Sequence, residues 1–420
     1  MYRKTIAAIA LAFLVVDEAS ASSAEFLPLG DLEGGNHYSY PWDVSADGRV
    51  VVGQSVASNG YEAFRWEDGA MIGLGVPDGP ASSSARGVSG DGAVVVGNDQ
   101  VGNYSEAFRW TEAGGKVYIG HLDELQPATH AYAVSDDGTV IVGRGEVSEG
   151  AEAFIWQNGV ITGLGDLDGG DYVSEAMAVS SNGQVVVGIG RSANGTEAFK
   201  WTAGEGMVGL GDLPGSIFSS RALTVSCDGN VIAGWSSATP GTEAFRWTSD
   251  GGMVGLGALP DGNFSSIANG TSADGTVIVG RSGVSSNRRA FVWDPVNDLR
   301  DLAALLSDEF GVDLGGWQLR EATAVSANGR NIVGYGFNPE GDTEAWLVRF
   351  TCADPAADMD EDGDVDLRDY ATFSHCFTGT GDDLARFDPI LCGCLDTDLD
   401  NDIDVDDFQE FHAVLGGLAP

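Results

Sequence analysis

The chain has 420 residues, with 63 Asp plus Glu against 21 Lys plus Arg and a formal net charge of −42. That balance argues against nucleic acid as a partner, because neutralising phosphates requires a basic surface, and makes cations the favoured counter-ligands. With 61 Gly, 43% hydrophobic and only 20% charged residues, most of the chain reads as a turn-rich folded protein, and its length admits two or more domains.

Arg3 and Lys4 precede the apolar run TIAAIALAFLVV, which is short for a membrane span and is followed by the small-residue pattern Ala19-Ser20-Ala21. Residues 1–21 are therefore expected to be a signal peptide, removed on export.

Internal repetition dominates the chain between this leader and Cys352. VSADGRVVVG at Val44 recurs in altered form at Val88, Val134, Val179, Val225, Thr271 and Val325, at spacings of 44, 46, 45, 46, 46 and 54 residues. A second phrase comes after each of these: EAFRW at Glu62, with counterparts at Glu106, Glu152, Glu197, Glu243 and Arg289 and an altered EAWLV at Glu344. A third, built on Leu-Gly, begins at Leu74, Ile119, Leu164, Leu210 and Leu256 and decays to DLRDL at Asp298; the copy missing after Glu344 stands near the start of the chain, as LPLGDLEGG from Leu27.

Each unit reads as four short strands, with Asp-Gly or Asn-Gly at a two-residue hairpin that requires positive φ. One such sheet cannot bury both of its apolar faces, so the units must stack, and this period and strand count fit the blades of a seven-bladed β-propeller over 26–350. The displaced Leu27 phrase is expected to supply the outer edge of the last blade and remove an open strand edge. The competing architecture is an open solenoid. In their order and wording these phrases resemble the HAF family of bacterial extracellular repeats; the resemblance implies a secreted repetitive protein and assigns no activity.

Within the ring, the repeated Trp66, Trp110, Trp156, Trp201, Trp247 and Trp293 are expected to pack between units rather than bind sugar. The repeated Glu is likewise expected to be structural, because catalysis needs carboxylates in different environments and these occupy equivalent ones. Asp43, His37, His121 and His130 break the repetition and are the candidates for a one-off pocket. Cys227 reads as an ordinary thiol in a hairpin. No GxSxG, HExxH or Walker phosphate loop occurs, so no catalytic residue is named. The insertion DPVNDLRDLAALLSDEFGVDLGG places Leu302, Leu305 and Leu306 at helical spacing, as a short helix covering the closure seam.

From Cys352 onward the character changes, with 19 acids against only Arg368 and Arg386. In DMDEDGDVDLRD, Asp358, Asp360, Asp362, Asp364, Asp366 and Asp369 stand at positions one, three, five, seven, nine and twelve with Gly363 at six, the register in which oxygen ligands wrap calcium. Asp364 would contribute its backbone carbonyl. DTDLDNDIDVDD repeats the register with Asp396, Asp398, Asp400, Asp402, Asp404 and Asp407, Asn401 replacing the glycine and Ile403 matching Val365 at position eight. Two Ca²⁺ ions are expected. Cys352, Cys376, Cys392 and Cys394 all lie in this segment and admit three disulfide pairings, as suits a small exported module.

After each loop comes a helix-like run, Tyr370-Ala-Thr-Phe373 and Phe408-Gln-Glu-Phe411, with apolar residues on one side, and duplicated loop-helix units of this kind resemble a type I dockerin over 352–418. The resemblance implies a mainly helical module, folded by calcium, that binds a cohesin-like protein partner through loop positions ten and eleven. Those positions are Leu367 and Arg368 in one copy and Val405 and Asp406 in the other, where cellulosomal members carry paired Ser/Thr. The expectation is a secreted, non-catalytic binding or scaffold protein found outside the cell or at its surface. The second reading is a carbohydrate-active enzyme, such as a glycoside hydrolase, or a lectin, because dockerins commonly ride on polysaccharide-degrading proteins.

Overall fold

The computed structural model describes residues 22–352 apart from 77–81, 216, 261–263 and 285–286, and beyond them residues 388–390, 392, 403 and 407. The leader and most of the acidic segment lie outside the described residues.

The ring region is built from antiparallel meanders. Gly34–Val44, Val50–Ala57, Gly60–Glu67 and Ala70–Gly73 form the first, and the same order of long, long, long and short strands recurs along the chain. Strands group into five sheets among the described residues; two of these hold eight strands because a single parallel pair, Tyr38 with Thr343 or Ala151 with Val173, joins neighbouring meanders. The last strand, Thr343–Cys352, receives Ser22–Gly30 as an antiparallel neighbour, so the chain's first strand completes its final meander.

The hairpin after each inner strand explains the Ser-x-Asp/Asn-Gly wording. Ser45 N–H donates to the Val50 carbonyl, Ser45 Oγ donates to Asp47 Oδ1 at 2.7 Å, and Asp47 Oδ1 also accepts from Arg49 N–H at 3.0 Å. Gly48 takes φ +74 while Asp47 does not. This corrects the sequence reading in two respects: the connection is longer than two residues, and only the glycine carries positive φ. The Asp or Asn is needed as a hydrogen-bond acceptor that closes the turn on itself.

The Val-Val-Val run is buried on both faces because strand side chains alternate. Val51 joins Phe64 and Trp66 against the preceding meander, whereas Val50, Val52 and Ala63 pack on Ala85, Val88, Val95 and Phe108 of the next. The core is thus a series of clusters between neighbours. One of them joins last to first, with Ala324, Val333, Ala345 and Leu347 meeting Val44, Val51, Phe64 and Trp66. The repeated Trp side chains lie in these clusters, as expected of packing residues.

The insertion forms the helix Leu302–Asp308, capped by Asp301, whose carboxylate accepts from Ala303 N–H and Ala304 N–H. Leu302, Leu305 and Leu306 are buried with Trp346 and Phe350, and Phe26 of the first strand packs against the same cluster, so the helix covers the closure seam. Ile390 is buried there as well, and Asn297 Nδ2 donates to Asp388 Oδ2 at 2.7 Å, so residues 388–390 dock on the flank of the ring.

Candidate functional site

At the end of the inner strands the hairpins meet around an axis. Ala46 N–H donates to Gly90 O, Gly90 to Asp136, Asp136 to Ser181, Ser181 to Cys227, Cys227 to Ala273, Ala273 to Ala327, and Ala327 back to Ala46, at 2.8–3.3 Å. These bonds form a closed ring, and each is made by the one variable residue in the Val-Ser-x-Asp/Asn-Gly phrase. Above the ring lies a central cavity of about 210 Å³ lined by the inner strands.

Each inner strand carries a register shift two residues before its Val-Ser or Thr-Ser, the signature of a β-bulge. The residue left over at each bulge is Trp42, Arg86, Tyr132, Met177, Leu223, Asn269 or Thr323, and all seven line the cavity. A bulge leaves one residue unpaired and re-aims its side chain. The glycine ending each Val-Val-Val-Gly run makes room for it: a Cβ at Gly143 would collide with the carbonyl oxygen of His130. A strictly repeated backbone device therefore displays a side chain that differs in every copy.

Trp42, Arg86 and Tyr132 on the cavity wall are continuous with an aromatic and charged cluster beside it. The Trp42 and Tyr40 ring centroids are 4.5 Å apart, Tyr40 and Tyr335 are also 4.5 Å apart, and the Arg86 guanidinium lies 3.8 Å from the centre of the Trp42 ring. His130 stacks on Tyr132 at 6.1 Å. Burial holds the pKa values of Arg86 and His130 below their usual ranges, and raises Tyr132 to about 12. On one side Glu321 gathers Arg281 at 3.3 Å, Arg288 at 3.1 Å, Asn269 at 3.0 Å and the Tyr335 hydroxyl at 3.2 Å. On the other, Arg144 pairs with Glu175 at 2.9 Å and with Glu146.

Deeper in the channel, Asp43 accepts from Val44 N–H and Val88 N–H, each at 2.9 Å. Burial raises its pKa to about 7 against the pull of those two bonds, with a smaller contribution from Asp136. Cys227 is the free thiol among the described residues, and it is more than a hairpin residue: it sits on the hydrogen-bonded ring, touching Ser181 Oγ and lying 3.7 Å from Asp136 Oδ2.

Of the four residues singled out by sequence, Asp43 lines the channel and His130 stands beside it on Tyr132. His37 and His121 are elsewhere, next to Asp31 and Glu106 respectively. Sequence reading missed Tyr40, Trp42, Arg86, Tyr132 and Tyr335. The signal was available in the columns that change in every copy while their neighbours stay fixed.

The repeated Glu is structural, as expected. Glu62 accepts from Gly75 N–H, Glu152 from Gly165, Glu197 from Gly211 and Glu243 from Gly257, at 2.8–3.0 Å, and these glycines have φ of +78 to +86.

Most of the acidic loop positions, and Leu367, Arg368, Val405 and Asp406, expected to face a partner, lie outside the described residues. Ile403 is fully buried, and Asp407 is buried in helical backbone. Cys392 is disulfide-bonded. Among the described residues no group of three potential ligands could hold a metal, and no helix is long and apolar enough to cross a membrane.

No protein-family model matches the chain, and the search of curated protein sequences returned no match. Among solved structures it is similar to an oligogalacturonate lyase in complex with manganese, with TM-score 0.50, 10% identity, and coverage of 80% of this chain and 99% of that one. It is also similar to the β-propeller domain of the Trilobed protease from Pyrococcus furiosus, with TM-score 0.48, 12% identity and coverage of 79% and 99%. A third similarity is to TolB from Acinetobacter baumannii, with TM-score 0.42 and 13% identity; the match covers 61% of this chain and spans 60% of that TolB chain. With meanders packed face to face around a central channel, the chain is a β-propeller.

Proposed function

We propose that the chain is an exported, non-catalytic binding protein: a seven-bladed propeller that takes a ligand at its central channel, carrying a dockerin-like module over 352–418 that two Ca²⁺ ions fold for attachment to a protein partner. The observation that carries the channel reading is that the bulge repeats in all seven units while the residue it turns into the channel differs in every one. Packing, turns and strand pairing repeat from unit to unit, so nothing structural requires Trp42, Arg86 and Tyr132 to differ there. Seven hydrogen bonds in the axial ring, and one core cluster per neighbouring pair of meanders, support the blade number.

The binding-protein reading is favoured over an enzyme because both carboxylate oxygens of Asp43 are already held by backbone N–H groups. Within that reading, Trp42 and Tyr132 on the cavity wall, with Tyr40 and Tyr335 packed next to Trp42, favour a lectin, since aromatic faces stack on sugar rings. The calcium and partner assignments rest on the loop register and on its duplication.

A glycan array and a panel of polysaccharide substrates, applied to the mature protein, test this directly. Stoichiometric binding without turnover is expected; turnover abolished by replacing one acid would establish an enzyme instead. Pull-down by the full mature chain, with calcium and with chelator, tests attachment: calcium-dependent capture is expected, and capture unaffected by chelation would overturn the calcium-folded mechanism.

A further inference from the structure

Arg86 is the one Lys or Arg among the residues lining the channel cavity, and it has no anionic partner among the described residues. Its guanidinium lies 3.8 Å from the centre of the Trp42 ring, its Nε makes no hydrogen bond, and the ionisable side chains that reach it are Tyr132, Tyr40 and His130, none of them a carboxylate. The two carboxylates on the same cavity are engaged elsewhere, Asp43 with two backbone N–H groups and Asp136 with Cys227. By contrast, the nearby Arg144, Arg281 and Arg288 are all paired with glutamates.

A half-buried cation without a counter-charge is costly. In a chain with 63 acids to 21 bases, an internal partner is the easiest one to supply. Stacking on Trp42 covers one face of the guanidinium and leaves its outer N–H groups as a planar fork, the geometry that matches the two oxygens of a carboxylate. Tyr132 shares the cavity wall with Trp42 and Arg86, and the Tyr40 ring lies against Trp42, so the fork has aromatic surface beside it.

We propose that Arg86 recognises a carboxylate, and that the channel ligand is a small sugar acid whose carboxylate meets the guanidinium and whose ring rests against the aromatic wall. This rests on the reading of the channel as the ligand site. The same chemistry is offered by a free sugar acid and by the acidic end of a glycan chain.

Calorimetry on the mature protein tests it with glucuronate, glucose and a disaccharide ending in glucuronate. Glucuronate is expected to bind and glucose to bind at least about tenfold more weakly. Arg86→Gln, which keeps a planar polar end but removes the charge, should weaken glucuronate roughly 30-fold, within the range for a lost charged hydrogen bond, and Arg86→Lys should recover only part of that. Disaccharide binding tighter than glucuronate indicates a chain end, and equal or weaker binding indicates the free acid; either supports the proposal. Leu223→Trp fills the channel at a column that already holds Trp42, and should abolish all binding. Equal affinity for glucose, no response to Arg86→Gln in a variant that melts normally, or no heat with millimolar glucuronate each overturns the carboxylate assignment. Glucuronate binding that survives Leu223→Trp overturns the channel reading itself.

Discussion

Gly30 N–H donates to Glu344 Oε1 at 3.1 Å, across 314 residues of sequence. The same Gly30 offers its carbonyl to Ser39 Oγ, and Ser39 Oγ accepts from Ala345 N–H at 2.9 Å. Inside the chain the identical set joins Gly165, Glu152, Ser174 and Ala153. Closure of the ring therefore uses the same staple that joins consecutive units, assembled from the two ends of the repeat region.

Deleting residues 22–30 should be far more damaging than its surface position suggests. It removes the antiparallel partner of Thr343–Cys352 and exposes a long strand edge, which templates association. The expected outcome is a lower melting temperature together with oligomers on size-exclusion chromatography. A monomeric deletion variant with unchanged melting would show that the staple contributes nothing to closure.

Asp43 gives the ring a pH dependence of defined sign. Its pKa rises from 3.8 to about 7 in the folded protein, so the folded state favours the protonated form. The stabilisation is complete below the unfolded value and is lost as pH rises through about 7. A shift of this size corresponds to about 4 kcal/mol, an upper bound because the channel brings water to the side chain. Stability measured by denaturant melts should fall between pH 5 and pH 8 at the ring transition. Asp43→Asn should flatten that slope, although it also replaces one of the two acceptor oxygens; an unchanged slope in the variant would remove Asp43 as its source.

The repeats made much of this architecture legible. Period, strand number and the displaced Leu27 phrase together specify a ring closed by its first strand, because each phrase has a fixed hydrogen-bonding or packing role. The hairpin chemistry was read less well: Asp-Gly suggests a two-residue turn, yet Asp47 serves as an acceptor in a longer one. The channel was barely legible. Trp42, Arg86 and Tyr132 reach it through a β-bulge, and a bulge is a pairing event between strands that leaves no residue signature beyond the glycine opposite. Attention to the repeated Trp and Glu pointed to the scaffold, whereas the seven bulge residues that line the channel differ in every copy.

Arg300 is the electrostatic keystone of the docked segment. It pairs at 2.7 Å with Asp294, which is fully buried, and lies 4.0 Å from Asp388, while Asp388 in turn raises the Asp294 pKa after the larger effect of burial. Removing the guanidinium leaves two neighbouring acids without their shared cation. Arg300→Ala is expected to cost about 3–5 kcal/mol at neutral pH, the usual cost of stranding a buried charge. The deficit should shrink as the pH falls, because burial and Asp388 make Asp294 protonate more readily than an ordinary carboxyl. A deficit independent of pH would mean that lost packing, rather than stranded charge, is responsible.

Calcium should separate the two parts of the chain. The carboxylates proposed at Asp358 to Asp369 and Asp396 to Asp407 repel one another without a cation, whereas among the described residues of the propeller no three potential ligands come together to hold a metal. Adding chelator to the mature protein is expected to abolish a calcium-dependent transition in residues 352–418 and to leave the β-sheet circular dichroism of the ring intact. Asp358→Ala combined with Asp396→Ala should reproduce the chelated state in the presence of calcium, because ligand and fold are coupled in such modules. Isothermal titration of the double variant decides the matter: two remaining equivalents of tightly bound calcium would place the ions elsewhere and leave the acidic loops without a role.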